Sequence, residues 1–291
     1  MFWEQKTINF KGRLFDISEP VVMGILNATP DSFYDGGNYL KLESAKNRID
    51  RMLQEGASII DVGGMSTRPG SRIVSPSEEM DRILPIIEWI STKYIDSIVS
   101  VDTVHSVVAE QAVKTGARMV NDISAGRIDD GLIDMVSSLK VPYILTHMQG
   151  LPKNMQKHPH YEDVTLEILD FFISRINEMM EKGIVDIIID PGFGFGKSIS
   201  HNYQILNNLH VFQMVERPIL VGISRKSMIT KVLGVEPQFA LNGTTVLHMF
   251  ALQKGAKILR THDVQQAVEC IQLWKKLKGS DKTASPDKHI E

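Results

Sequence analysis

The chain has 291 residues, 43% of them hydrophobic, and a formal charge of -3, which gives room for a substantial core in a single catalytic domain. Charges of both signs are spread along it, so the basic stripe needed for nucleic-acid binding is excluded and any anionic ligand has to be held by local charges. Its one cysteine, Cys270, rules out an intrachain disulfide framework and suits a reducing compartment; with no signal peptide and no apolar run of membrane length, a cytoplasmic location is expected.

Residues 7–17 alternate in part and turn at Lys11 and Gly12, the pattern of a β-hairpin. Eight short apolar runs follow, and each hands over to a polar residue where it stops. They are 21–26 before Asn27, 58–60 before Asp61, 98–101 before Asp102, 118–120 before Asn121 and Asp122, and 143–145 before Thr146 and His147. Then come 187–189 before Asp190, 219–221 before Ser224 and Lys226, and 257–259 before Arg260 and His262. The segments between carry apolar residues at helical spacing, such as Ala45, Ile49, Met52 and Leu53. Glycine-alanine pairs at 56–57, 116–117 and 255–256 suit helix C-caps that feed the next strand. Strand then helix, eight times over, predicts an α/β fold: a (β/α)8 TIM barrel with the N-terminal β-hairpin closing its bottom. A doubly wound open sheet shares the alternation but usually has fewer strands and a glycine-rich turn after the first. A single domain is expected over residues 1–278. Residues 279–291 are polar, rich in Pro, Ser and Lys and without periodicity, and are expected to form a disordered tail.

In such a barrel the strand ends and the loops after them build the active site. Loop 27–37 is long and dense in side-chain oxygens; Asn27 at the strand end and Asp35 in the loop are candidate ligands for a hard cation such as Mg2+, with a solvated turn as the competing reading. Loop 61–70 offers glycines for close backbone approach, the hydroxyl of Thr67 and the guanidinium of Arg68, which can take phosphate bidentately. Asp102, Asn121 and Asp190 fall at three separate strand ends. Either they pair with Lys226 or Arg260 across strands, or they form an acceptor-rich wall for a flat heterocycle bearing an amino group and ring N–H donors, with Lys226 donating to it.

Residues 190–198 end in Gly-Lys-Ser, but Pro191 stands where a P-loop needs glycine. The segment is read instead as a glycine-flexed loop that carries Phe195 over a substrate ring, with His147 and Met148 beside the pocket. Ser227 is a candidate N-cap of a helix over 228–233, whose N–H groups suit a carboxylate. Arg260 and His262, two apart on an extended segment, point the same way and suit a diphosphate. His158 and His160 lack further ligands at zinc spacing.

The motifs GILNATPDSFYDGG at 24–37, DVGGMSTRPG at 61–70, DPGFGFGK at 190–197, SRKS at 224–227 and RTHDV at 260–264 resemble, in type and in order, those of the dihydropteroate synthase family, over residues 8–275. The resemblance implies condensation of 6-hydroxymethyl-7,8-dihydropterin diphosphate with 4-aminobenzoate to give 7,8-dihydropteroate and pyrophosphate, in folate synthesis. It also implies Asn27 as the Mg2+ ligand, and Asp102, Asn121, Asp190 and Lys226 around the pterin. Thr67, Arg68, Arg260 and His262 fall at the diphosphate, and Pro69, Phe195 and Ser227 at the aminobenzoate. Small-molecule substrates, no nucleic-acid or membrane partner, and a homodimer are implied as well. Met65 stands where the family commonly has glutamate, which bears on the charge of that loop. The loop after the sixth barrel strand lacks the Phe-Gly insertion of sulfonamide-resistant forms, so ordinary sulfonamide binding is expected.

The chemistry of these residues agrees with that implication. A methylene on an electron-rich dihydropterin can lose diphosphate because positive charge spreads into the ring, provided the leaving charge is neutralised by Arg260, His262 and Mg2+. Asp102 and Asp190 favour the developing cation, Lys226 holds the ring, and an unprotonated aniline attacks without a strong general base. Lys226, Arg260, His262 and Asp102 are therefore the catalytic candidates. Rival readings are a methyltetrahydrofolate:corrinoid methyltransferase, which needs no diphosphate clamp, and a non-catalytic pterin-binding paralogue.

Overall fold

In the computed structural model, which describes residues 5–29, 38–66, 73–150, 155–156 and 159–280, β1 (Thr7–Phe10) and β2 (Arg13–Asp16) pair antiparallel ahead of the main sheet. Their turn places Lys11 and Gly12 at φ 51° and 95°, two consecutive left-handed residues whose twist matches that of the strands they join. The next eight strands are all parallel: β3 (Val21–Asn27), β4 (Ile59–Gly63), β5 (Ile98–Asp102), β6 (Met119–Asp122), β7 (Tyr143–Thr146), β8 (Ile187–Asp190), β9 (Ile219–Val221) and β10 (Ala256–Thr261). They run in chain order around a closed barrel, with β10 pairing back onto β3. The open-sheet alternative is thereby excluded, and the expected TIM barrel is found.

Helices α1 (Asn38–Gln54), α2 (Pro76–Lys93), α3 (Ser106–Thr115), α4 (Leu132–Leu139), α5 (Val164–Glu181), α6 (Ile199–Asn207), α7 (Ser227–Leu233), α8 (Leu241–Gln253) and α9 (Val264–Ser280) lie between and after the strands. Their ends follow from local chemistry. Ser75 caps α2 by accepting from the Glu78 N–H, with Pro76 at the first helical position, and Asp163 caps α5 by accepting from Thr165 and Leu166. Gly116 closes α3 at φ 131°, where an added Cβ would lie 2.1 Å from Ser91 Oγ, so only glycine turns the chain into β6 without displacing α2.

Alternate strand residues face opposite sides of the barrel wall. Val22, Ile60, Val99, Val120, Leu145, Ile189, Val221 and Leu259 join the large core beneath the helices. The inward set begins with Met23, Ile59, Ile98, Met119, Ile144, Ile188, Leu220 and Ile258, one from each strand, which pack with Ile8, Phe10 and Ile17 of the hairpin segment. This is the predicted closure of the bottom. Two residues higher the inward set turns polar, and the site begins there.

Two boundaries differ from expectation. Asp61 lies inside β4, which continues to Gly63, because the apolar run stops where the barrel interior changes character and not where the strand ends. Helix α9 continues through Gly279 and Ser280 with Lys278 in its last turn, where a cation suits the helix dipole, so regular structure extends two residues past 278. Residues 281–291 lie outside the described residues.

Candidate active site

Inward positions two residues above the bottom layer are occupied by Asp61, Ser100, Asn121, Thr146, Asp190 and Arg260, all on strands or at their ends. The guanidinium of Arg260 crosses this layer, donating from Nε to Asp61 Oδ2 at 2.6 Å and from Nη2 to Asp102 Oδ2 at 2.6 Å. Asn121 Nδ2 donates to the same Asp61 oxygen at 2.9 Å. Thus Asp102 does pair with Arg260 across strands, as one of the two sequence readings had it. The remaining surface is acceptor-rich nonetheless, because Asp61 Oδ1, Ser100 Oγ and Thr146 Oγ1 are buried and form no hydrogen bond with any described residue. Burial, with the Asp61 and Asp122 charges, pushes the Asp102 carboxyl up to about 7 against the pull of Arg260. The two carboxylates hold Arg260 protonated in spite of its burial.

Asp190 ends β8, its Oδ1 accepting from the Gly192 N–H at 2.8 Å. Burial raises its carboxyl, opposed by the Lys226 charge. Gly222, just past β9, leaves a space bordered on both sides: a Cβ placed there would lie 3.9 Å from Asp190 Oδ2 and 3.9 Å from Arg260 Cβ. Asp190 Oδ2 and the Arg260 stem therefore flank the same point of the barrel mouth. Lys226 reaches toward it, donating to the Phe193 carbonyl at 2.5 Å with its ammonium 4.4 Å from the centre of the Phe195 ring. Burial lowers its ammonium to about 8.

Phe195 packs with Met65, Val104, Ile123, Met148 and Met155 in a small apolar cluster beside the mouth. That cluster accounts for Met65: a thioether fills an apolar contact where a carboxylate would need a partner. Phe193 belongs to the main core. The loop between them is set by Lys197, whose buried ammonium lies 2.9 Å from His147 Nδ1 and donates to the carbonyls of His147, Gly192 and Phe195 at 3.2, 3.0 and 3.1 Å. Gly192 has φ 72° and its absent side chain would overlap the His147 carbonyl at 1.9 Å; the backbone passes there only as glycine.

His262 follows β10, its Nδ1 3.1 Å from Ser224 Oγ and its carbonyl taken by Arg48. Burial and the neighbouring Arg260 and Arg225 charges lower the imidazole to about 4, so near pH 7 it offers a neutral ring and the positive charge comes from Arg260. Ser227 is exposed and is the first residue of α7; Lys226 occupies the N-cap position without a side-chain cap. The expected cap is displaced by one residue because Arg225, at φ 58° and paired with Asp263 at 3.0 Å, is followed by an extended Lys226. Asp35, Thr67, Arg68 and Pro69 lie outside the described residues. Asn27 stands at the end of β3, half-buried, in register with Gly63 and through it with Asp102, and its side chain bonds to no described residue. An amide oxygen at this strand end fits Mg2+, which keeps waters and takes phosphate oxygens, and does not fit zinc; no cluster of three metal-binding side chains exists among the described residues.

Asp61 and Lys197 were not singled out from sequence. Nor was Asp122, which accepts from Tyr143 OH at 2.7 Å and from Ser124 and Gly126 N–H and so shapes the loop after β6.

Residues 23–262 match the family described as pterin binding enzyme. The chain is 42% identical over 264 residues to the dihydropteroate synthase of Haemophilus influenzae, covering 90% of this chain and 95% of that one. A Yersinia pestis dihydropteroate synthase solved in complex with a sulfonamide drug superposes with a TM-score of 0.89 at 41% identity, covering 94% of this chain and 99% of the other. The Xanthomonas albilineans dihydropteroate synthase with 4-aminobenzoic acid does so with a TM-score of 0.88 at 39% identity, over 97% and 99% of the two chains.

Proposed function

Since this chain belongs to the pterin-binding enzymes and, within them, to the dihydropteroate synthases, we infer that it is a transferase joining 6-hydroxymethyl-7,8-dihydropterin diphosphate to 4-aminobenzoate. The carrying observation is that Asp190 Oδ2 and the Arg260 side chain flank Gly222 in the barrel mouth, with the Arg260 guanidinium spanning Asp61 and Asp102. Neither rival reading, the corrinoid methyltransferase or the non-catalytic paralogue, is favoured by any relative described above.

Asp102, Asn121 and Asp190 accept the amino and ring N–H groups of the pterin, Lys226 donates to its ring, and Met148 lines the pocket. The bond between the methylene carbon and the diphosphate oxygen breaks first, its electron pair leaving with pyrophosphate. Arg260 meets that charge, His262 donates to it as a neutral ring, and Thr67 and Arg68 are assigned to the same anion. Each preorganised donor contributes about 3 kcal/mol to lowering such a barrier. Asp102 and Asp190 stabilise the cation left on the ring. The aniline nitrogen, positioned by Phe195, Pro69 and Ser227, then forms the new carbon–nitrogen bond and releases a proton. Asn27 and Asp35 would hold Mg2+, which when bound supplies further positive charge at the diphosphate.

The chain is further assigned a homodimeric state and a cytoplasmic location. Val232, Leu233, Phe239, Val246 and Phe250 are exposed along α7, α8 and the turn between them, a face suited to a second copy; the buried thiol Cys270 fits a reducing compartment. None of the described helices is long and apolar enough to cross a membrane. Pyrophosphate release tests the reading: it is expected only with protein, Mg2+, pterin diphosphate and 4-aminobenzoate together. No release from the full mixture, or equal release without Mg2+, overturns the corresponding assignment. Sedimentation of wild type against Phe239→Asp tests the dimer.

A further inference from the structure

We propose that Asp61 is a positioning residue that fixes Arg260 in the barrel mouth, and that Asp102 is the partner Arg260 gives up when substrate enters. The proposal rests on the reading of the site just given. Asp61 sits inside β4 with no exposed surface, and its Oδ2 accepts from both Arg260 Nε at 2.6 Å and Asn121 Nδ2 at 2.9 Å. Asp102 sits one inward position higher on the neighbouring strand and meets the same guanidinium through Nη2 alone, at 2.6 Å. Beside it stands Gly63, where an added Cβ would lie 3.6 Å from Asp102 Oδ2, so no β4 side chain lies against that buried carboxylate, and Arg260 is its one side-chain donor among the described residues.

The two carboxylates are therefore unequal. Taking Arg260 from Asp61 leaves a buried charge with one amide donor, which is costly. Taking it from Asp102 leaves a carboxylate that a ring N–H or amino group can occupy. A guanidinium has five N–H groups in a fixed fork, and the pair in use here are Nε–H to Asp61 and one of Nη2 to Asp102. When the ring claims Asp102, Nη2 is released toward the diphosphate while Nε stays on Asp61. Ring binding and anion binding are thus coupled through one side chain, and the coupling is reciprocal.

Calorimetric titration of the wild-type enzyme with pyrophosphate, alone and with saturating 6-hydroxymethylpterin, should show pyrophosphate binding at least threefold tighter with the pterin present; equal affinities would overturn the exchange. In Asp61→Asn, kcat should fall tenfold or more while the Kd of 6-hydroxymethylpterin changes less than threefold, because Arg260 loses its anchor and the ring wall remains. Unchanged kcat, or equal loss in kcat and pterin affinity, would overturn the anchoring role. Should Asp61→Asn fail to fold by circular dichroism, a crystal structure of the wild type with pterin and pyrophosphate decides. Retention of the Arg260–Asp61 bond with loss of the Arg260–Asp102 bond supports the proposal, and both bonds intact reject it. Wild-type turnover in the same assay separates this from the parent reading: no wild-type turnover sinks that reading, whereas wild-type turnover matched by Asp61→Asn sinks only the anchor.

Discussion

The ammonium of Lys197 stands 2.9 Å from Nδ1 of His147, both side chains buried, and the contact ties the loop after β8 to the end of β7. Burial lowers both groups, and the three N–H groups of Lys197 are shared among this contact and three backbone carbonyls. Lys197→Met removes the donor to three buried carbonyls, at a cost of about 3 kcal/mol. The thermal midpoint is expected to fall by roughly 6–10 °C, and KM for 4-aminobenzoate to rise more than KM for the pterin, because Phe195 rides on that loop. Scanning fluorimetry and steady-state kinetics check both; equal changes in the two KM values would argue against the loop's role.

Lys226→Ala and Arg260→Ala should separate ring binding from leaving-group stabilisation. The first is expected to weaken pterin binding at least tenfold with a smaller effect on kcat, the second to lower kcat by about a hundredfold, as loss of an oxyanion donor does. Because burial lowers the Lys226 ammonium to about 8, pterin affinity in the wild type should decline about tenfold per unit above that pH. Lys226→Arg should remain flat to pH 10. A wild-type Kd that does not change between pH 7 and 10 would remove Lys226 from the ring contact.

Glu79, in the first turn of α2, is fully buried beneath Gly64, near Asp102, and burial pushes its carboxyl up to about 8. The folded chain therefore keeps a proton that the unfolded chain sheds near 4.5. The sign follows from linkage: between those values the folded state binds more protons, so stability falls as pH rises from 4.5 through 8. Glu79→Gln, which cannot ionise, should gain stability relative to wild type by a few kcal/mol on going from pH 5 to pH 8.5. Urea unfolding at the two pH values measures it; a difference that stays constant would mean that Glu79 ionises normally.

Sulfonamides should compete with 4-aminobenzoate and not with the pterin diphosphate. The expectation comes from the Phe195–Lys226 side of the mouth and from the sulfonamide complex of the Yersinia pestis enzyme. Inhibition kinetics that are uncompetitive toward 4-aminobenzoate would reject it.

The barrel was legible because each strand carries its own punctuation, an apolar run and then a polar residue, and because hairpin, strands and glycine caps agree with one another. Asp102, Asn121, Asp190 and Arg260 could be singled out for the same reason. Their pairing could not. Asp61 reads as the end of a run at Ile60, and only the inward parity of a closed barrel shows that it shares a layer with Arg260, 199 residues away. Lys197 carries no signal in the sequence beyond an unmet P-loop pattern, since its acceptors at positions 147, 192 and 195 come together only when β7 and β8 are paired. The apolar company that Met65 keeps becomes visible only in three dimensions.

The lowest inward layer, one apolar side chain from each strand and backed by Ile8, Phe10 and Ile17, makes the barrel a blind well. A molecule lodged at its floor arrives before anything that sits above it and departs by the same opening. Shape therefore predicts an order of traffic, the deeper ligand first in and last out, which product-inhibition kinetics would show.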